Sequence, residues 1–336
     1  MRWRELWRTR WRHLRKRLAH WMTGKSELER ACSGRVYDAK MRLRVFAALE
    51  QSAELHPLLE ELVGKSERPP PSPASASIDW DEVAERVLAR KHDARTPLRP
   101  AAREHVACGL REWREWQLAC RQVQQWTRTP FDADNAAHGQ ALERLWSLLL
   151  PGVARYGGRR TKAWTMLGFQ GSDPATDFRS MGVFALYQLV YFAESRTMVA
   201  QRIVREAGGI DTAADTETPY HYPFALVGIH LSEWVARLLL QARCFERHWL
   251  GLAHDDILQR LHDVYSDTFT LFHIAWRSAP SRSLMEFPDM FRAFCAQIER
   301  HIRAGVLLSA PRPSRPAKEG EASAASPRQK VQAGGG

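Results

Sequence analysis

An all-α fold of many helices is what the sequence predicts, and three observations carry that prediction. Apolar residues recur at three- and four-residue steps in segment after segment, the spacing that gathers them on one helix face. Residues that cap helices stand ahead of several of these segments, and Gly or Pro often follows them. No stretch alternates apolar and polar residues as a half-buried strand does. A length of 336 residues allows one substantial core with a flanking helical region.

The first element is a basic amphipathic helix within residues 1–25. Trp3, Trp7, Trp11, Leu14, Leu18 and Trp21 make one stripe, with Arg2, Arg4, Arg8, Arg12, Arg15 and Lys16 around it. The segment holds seven Arg and two Lys against Glu5, so +8 of the net charge of +11 sits here and +3 is left for the remaining chain. A body so close to neutral argues against a general nucleic-acid binder. Indole stripes flanked by Arg fit the headgroup layer of an anionic membrane, which makes Trp3, Trp7, Trp11, Trp21, Arg8, Arg12 and Arg15 candidate membrane contacts. Two alternatives stay open: docking of the Trp stripe on the body of the chain, and mitochondrial targeting, whose presequences are Arg-rich and acid-poor. No apolar run approaches membrane-spanning length, and the h-region of a secretory signal is lacking. The expected location is cytoplasmic, peripheral on an intracellular membrane.

Residues 26–129 form a helical amino-terminal region. Gly24-Lys25-Ser26 imitates the end of a phosphate-binding loop, but the first glycine of that motif falls on Ala19 and no strand precedes it. Ser26 with Glu29 three residues on is better explained as a capping box. Asp38 to Gly64 follows with Met41, Val45, Leu49, Leu55, Leu58 and Leu62 as apolar positions, kinked or divided at Pro57. The Pro/Ser-rich segment 66–77 has nothing to bury and is expected to be a flexible or extended loop. Helical pattern resumes at Trp80 (Val83, Val87, Leu88), again from Pro100 to Thr127 (Val106, Leu110, Trp113, Trp116, Val123), and from Ala137 to Leu150 (Leu142, Leu145, Trp146, Leu149).

Metal and hydrolytic chemistry find little support. Cys32, Cys108, Cys120, Cys244 and Cys295 are scattered, without the close pairs of a zinc site and without a disulfide framework, as suits a reducing compartment. His254, Asp255, Asp256 and His262 imitate metal ligands, yet Asp256 reads more simply as a helix-start residue. No metal and no cofactor is expected, and nothing in the chain looks able to hydrolyse a substrate unaided.

The densest information lies between Trp164 and Phe192. Gly168 and Gly171 permit loop geometry, and Pro174 holds Asp173 extended. Thr176 then offers itself as a helix cap, with Asp177 at the positive end of the dipole. The helix that follows is apolar nearly all round: Phe178, Met181, Phe184, Ala185 and Leu189 on one side, Val183, Leu186 and Val190 on another. Such a helix belongs inside a domain. Arg179 in its first turn is out of place, since the dipole disfavours a cation there. Gly182 one turn later leaves a shallow spot beside it. Two readings remain: an arginine offered outward to an anion, or one neutralised internally by Asp173 or Asp177.

Further helices are expected up to Gly208-Gly209, from Tyr222 and Pro223 through Phe224, Val227, Leu231, Trp234 and Leu238, from Asp256 to Ser278, and from Phe287 to Val306. Residues 210–219 read as an acidic, Thr-rich loop. Residues 306–336, rich in Pro, Ser, Ala and Gly, read as a disordered tail.

The run W-x-x-x-G-F-Q-x-x-x-P-x-T-D-F-R-x-M-G, placing Trp164, Gly168, Phe169, Gln170, Pro174, Thr176, Asp177, Phe178, Arg179 and Gly182, followed by L-x-x-L-V-Y-F, resembles the signature of the ELMO domain. More narrowly, it is similar to ELMO-domain proteins that act as GTPase-activating proteins for Arf and Arf-like small GTPases. T-G-K-x-E-L at residues 23–28 and the block opened by Tyr222-Pro223 extend the likeness, although His230 stands where Asn is more usual. The resemblance implies an all-α, multi-helix ELMO-type domain over residues 130–305. It also implies Arg179 as the residue required for GTPase activation, acting on the GTP state of an Arf or Arf-like partner. Gln170, Asp173, Thr176, Asp177, Ser180 and Gly182 are the expected loop supports and partner contacts. Ser180 departs from the family's usual Gly, which bears on activity or partner choice. The alternative function is a non-catalytic ELMO-type scaffold module at a membrane surface.

Overall fold

The computed structural model describes residues 25–34, 36–64, 78–91, 100–154, 160–208, 221–241, 246–278 and 283–306, with Ala19, Met22 and Thr23 ahead of them. The candidate membrane contacts Trp3, Trp7, Arg8, Trp11, Arg12, Arg15 and Trp21 lie outside the described residues. So do the 66–77 loop, the 210–219 loop, Cys244 and the tail beyond Val306. Among the described residues there are helices and no strand, as the sequence predicts. No helix among them is long and apolar enough to cross a membrane.

The amino-terminal helices are α1 (Glu27–Ala31), α2 (Ala39–Glu50), α3 (His56–Val63) and α4 (Trp80–Lys91). The expected capping box is present: Ser26 caps α1, with its own N–H answered by the Glu29 carboxylate at 2.6 Å. Asp38 caps α2, accepting from the Met41 N–H at 2.7 Å. Pro57 opens α3 and does not kink a longer helix; residues 51–55 already make the break. Leu28, Val45, Phe46, Leu49, Leu58, Val83 and Val87 form a first apolar cluster.

Helix α5 (Pro100–Arg128) ties this cluster to a second, larger one. Its 29 residues make a rod of roughly 44 Å at 1.5 Å per residue. Val106, Leu110 and Trp113 from its first half enter the first cluster, and Ala119, Cys120 and Val123 from its second half enter the other.

The second cluster is walled by α6 (Ala136–Leu149), α7 (Gly182–Ser195), α8 (Thr197–Gly208), α9 (Phe224–Gln241), α10 (His254–Arg277) and α11 (Phe287–Arg303). Helix α7 is the axis, touching α5, α6, α8, α9 and α10. Val183, Phe184, Ala185, Leu186, Leu189, Phe192 and Ala193 on it are buried, which accounts for its nearly uniform apolar sequence. Its Phe192 stacks on Phe269 of α10 at 5.0 Å, and Phe224 of α9 stacks on the same Phe269 at 4.7 Å.

Candidate functional site

The stretch between α6 and α7 folds as two short 3-10 helices, Lys162–Leu167 and Pro174–Ser180, wrapped on an aromatic plug. Trp164 is fully buried, edge-on to Trp146 at 5.2 Å and to Phe169 at 5.8 Å; Phe169 in turn meets Phe178 edge-on at 5.6 Å. Gly168 ends the first 3-10 helix at φ 80°, ψ 24°, and a β-carbon there would stand 2.3 Å from the Phe224 nitrogen. Both the left-handed backbone and the contact with the start of α9 therefore demand glycine. The Thr161 N–H donates to the Ser172 carbonyl at 2.9 Å and closes the loop.

Hydrogen bonds tie the second 3-10 helix to that loop. The cap is Asp173, whose Oδ1 accepts the Ala175 N–H at 3.1 Å. Thr176, expected to be the cap, is inside the turn, and its hydroxyl donates back to the Asp173 carbonyl at 2.9 Å. Pro174 brings this about: it occupies the first helical position and moves the start three residues upstream. The other Asp173 oxygen receives the Arg160 Nε at 2.9 Å. Asp177 Oδ2 accepts the Gln170 N–H at 2.8 Å, bridging the two halves of the loop. Burial pushes the Asp177 carboxyl above its usual range, while the Gln170 amide and the nearby Arg179 pull the other way.

Arg179 is exposed and sits near the end of this 3-10 turn, ahead of the buried helix and not in its first turn. Its Nε donates to the Thr176 carbonyl at 2.7 Å, and no carboxylate among the described residues forms an ion pair with it. Asp173 is engaged by Arg160 and by its own capping bond, Asp177 by the Gln170 amide. Ser180 closes the turn and is exposed, as are Gln170 and Thr176.

Gly182 overturns the expected shallow spot. It takes φ 53°, and a β-carbon on it would lie 2.3 Å from the Thr129 carbonyl oxygen, 2.7 Å from that of Trp126 and 2.9 Å from that of Thr127. The end of α5 fills the space, and the Val183 N–H donates to the Thr129 carbonyl at 3.0 Å. A turn before the glycine and a helix after it are thus pinned to α5 at one point. Sequence reasoning missed the α5 terminus as part of the site, because nothing in residues 126–129 marks them as a partner of a segment more than fifty residues away. The Asp173 cap was legible in Asp-Pro, since a residue before Pro is held extended as a cap must be.

Other candidates resolve as structure. His262 Nδ1 meets Gln188 Oε1 at 3.0 Å and its ring stacks on Tyr191 at 4.9 Å, while His254 pairs with its neighbour Asp255 at 2.9 Å. Helix α10 starts at His254, with Asp255 and Asp256 both in its first turn. No cluster of three or more His, Cys, Asp or Glu able to hold a metal occurs among the described residues. Burial pushes the Cys32 and Cys295 thiols up to about 12, which leaves them protonated and unreactive at neutral pH.

The described residues define a class: an all-helical domain in which a hydrogen-bonded turn carrying the exposed Arg179 precedes the central buried helix. A sequence profile described as the ELMO/CED-12 family matches residues 121–291. Among relatives, the chain is 29% identical to ELMO domain-containing protein B of Dictyostelium discoideum over 292 residues, covering 87% of this chain and 94% of that protein. Mouse ELMO domain-containing protein 1 is 26% identical over 294 residues, 84% of this chain and 85% of its own length. Human ELMO domain-containing protein 2 reaches 34% over 161 residues, 48% of this chain and 52% of that one. No solved structure matches. The chain belongs to the ELMO/CED-12 family.

Proposed function

We propose that this chain is a GTPase-activating protein for an Arf-family small GTPase, Arf or Arf-like, and that it supplies Arg179 in trans. The observation that carries this is an exposed guanidinium on a hydrogen-bonded turn, with no carboxylate partner among the described residues. Phosphoryl transfer to water spreads negative charge over the transferred group, so catalysis is mostly placement of positive charge where water is excluded. An arginine brought in by a partner accelerates such hydrolysis by about 10³–10⁵-fold. With Nε spent on the Thr176 carbonyl, the two Nη groups remain to donate to phosphate oxygens. Tethering at Nε also reduces the rotamer freedom lost when the partner binds. Lys lacks the planar fork and is no substitute.

The test is single-turnover GTP hydrolysis across a panel of Arf and Arf-like proteins. Arg179→Lys is expected to keep the fold and lose most of the stimulation, about 10³-fold or more if the finger carries the usual share. Undiminished stimulation by that variant would falsify the assignment. We further propose that the chain works at an anionic membrane surface, reached through residues 2–22. Flotation with anionic liposomes should recover the full chain and lose it when that segment is removed; equal recovery counts against membrane contact.

A further inference from the structure

Where α5 ends against the start of α7, the surface carries more than the arginine. Trp126, in the last turn of α5, lays its ring on α7, stacked with Phe184 at 6.3 Å and edge-on to Tyr187 at 5.6 Å. Both Trp126 and Tyr187 are only half-buried. Neither the Trp126 indole N–H nor the Tyr187 hydroxyl has a hydrogen-bond partner among the described residues, and both polar tips are open to solvent. Arg128, two residues after Trp126, is exposed and likewise without an ion pair among the described residues. Carbonyls of residues 126, 127 and 129 crowd Gly182, and Arg179 lies three residues upstream of it, within about 10 Å of chain.

Single half-exposed aromatics are ordinary on protein surfaces and need no explanation. Here two of them sit together, each with a polar tip free to meet a partner, with Arg128 at the same helix end and the turn that carries Arg179 abutting that end through Gly182. Trp, Tyr and Arg in such a grouping are the residues that dominate binding energy at protein interfaces. The position selects the occupant. An arginine side chain extends only a few ångström, so a protein whose nucleotide it reaches must cover the backbone beside it, and the α5–α7 corner is that backbone on one side. Two cations, Arg128 and Arg179, match a partner whose facing surface includes phosphates.

We infer that Trp126, Arg128 and Tyr187 form the docking surface for the GTPase, on which the partner seats while Arg179 enters its nucleotide site. This rests on the function proposed above for Arg179 and adds the face that the partner covers. Arg128→Glu and Tyr187→Phe test it, since one reverses an exposed charge and the other removes only a hydroxyl. In the hydrolysis assay, run over a range of chain concentrations, each is expected to raise the half-maximal concentration, by about fivefold or more for Arg128→Glu, with the plateau rate unchanged. Direct binding of GTPase loaded with a non-hydrolysable GTP analogue should weaken in parallel, while Arg179→Lys lowers the plateau and leaves that binding largely intact. Thermal melts by circular dichroism confirm that each variant is folded. Unchanged half-maximal concentrations in both variants, with the plateau still lost in Arg179→Lys, overturn the docking surface and leave the finger standing. A shifted half-maximal concentration with a normal plateau in Arg179→Lys supports the surface and overturns the finger. A parent chain that neither binds nor stimulates any member of the panel overturns both.

Discussion

Arg179 and Gly182 stand three residues apart and answer to different constraints. The arginine is set by what it leaves undone: it is exposed, tied at Nε to the Thr176 carbonyl and unpaired among the described residues. The glycine is set by what surrounds it, with φ 53° and three carbonyl oxygens of α5 in the place of a side chain. Ala at this position would bear the cost of a left-handed backbone, about 1–2 kcal/mol, and would also have to displace the Thr129 carbonyl. Gly182→Ala is therefore expected to lower stability by about 2 kcal/mol or more, read as a lower urea midpoint at unchanged slope. An unchanged midpoint would mean that α5 and α7 part easily at this corner. Ser180 meets no such demand: it ends the 3-10 turn at the surface, where a small hydroxyl fits as well as hydrogen.

At the scale of elements, the short 3-10 helix Pro174–Ser180 is the part that positions the site, and a helix so short has little stability of its own. Its order comes from three ties: the Asp173 cap, the Asp177 to Gln170 bridge, and Phe178 packed between Phe169 and Phe131, the latter at 5.8 Å. Removing the cap should be felt first. Asp173→Ala is expected to cost about 1 kcal/mol, the usual worth of a cap. Little of that comes from the exposed Arg160 pair, since surface ion pairs contribute ~0–1 kcal/mol. Denaturant titration of this variant beside Arg160→Ala separates the two terms; an equal loss in both would mean that the ion pair, not the cap, holds the turn.

For the molecule as a whole, polar groups buried between the helices make stability depend on pH. Burial holds the His262 ring down at about 4, against the weaker opposing pull of Asp263. Burial likewise lowers His273, opposed by its hydrogen bond to Glu206 at 2.8 Å. Burial raises Glu206, but the His273 and Arg277 contacts outweigh it and hold the carboxyl below its usual value. The signs agree. Unfolded histidines take up protons near pH 6.5 while the folded His262 waits until about 4, so stability falls as pH drops through that window. The Glu206 contribution is present above the usual carboxylate pKa of 4.5 and is lost below it. Thermal melts between pH 7 and pH 4 should show a falling transition, with His262 contributing at most about 3 kcal/mol. Replacing His262 by Gln should flatten the slope between pH 6.5 and 4; an unaltered slope would assign it to other groups.

Much of the fold was legible before any coordinate. The helices announce themselves through apolar spacing and caps, as with Ser26 and Glu29 before α1 or Asp38 before α2, because helix formation is governed by neighbours three and four residues away. The T-D-F-R run, too, carried the likeness to the family. Tertiary structure alone decided that Arg179 precedes α7 instead of opening it and that Gly182 is filled by the end of α5. The reason is the same in each case. A carbonyl from residue 129 seated on residue 182 is a contact between distant parts of the chain, and local pattern records only which residues tolerate such a meeting, not which ones meet.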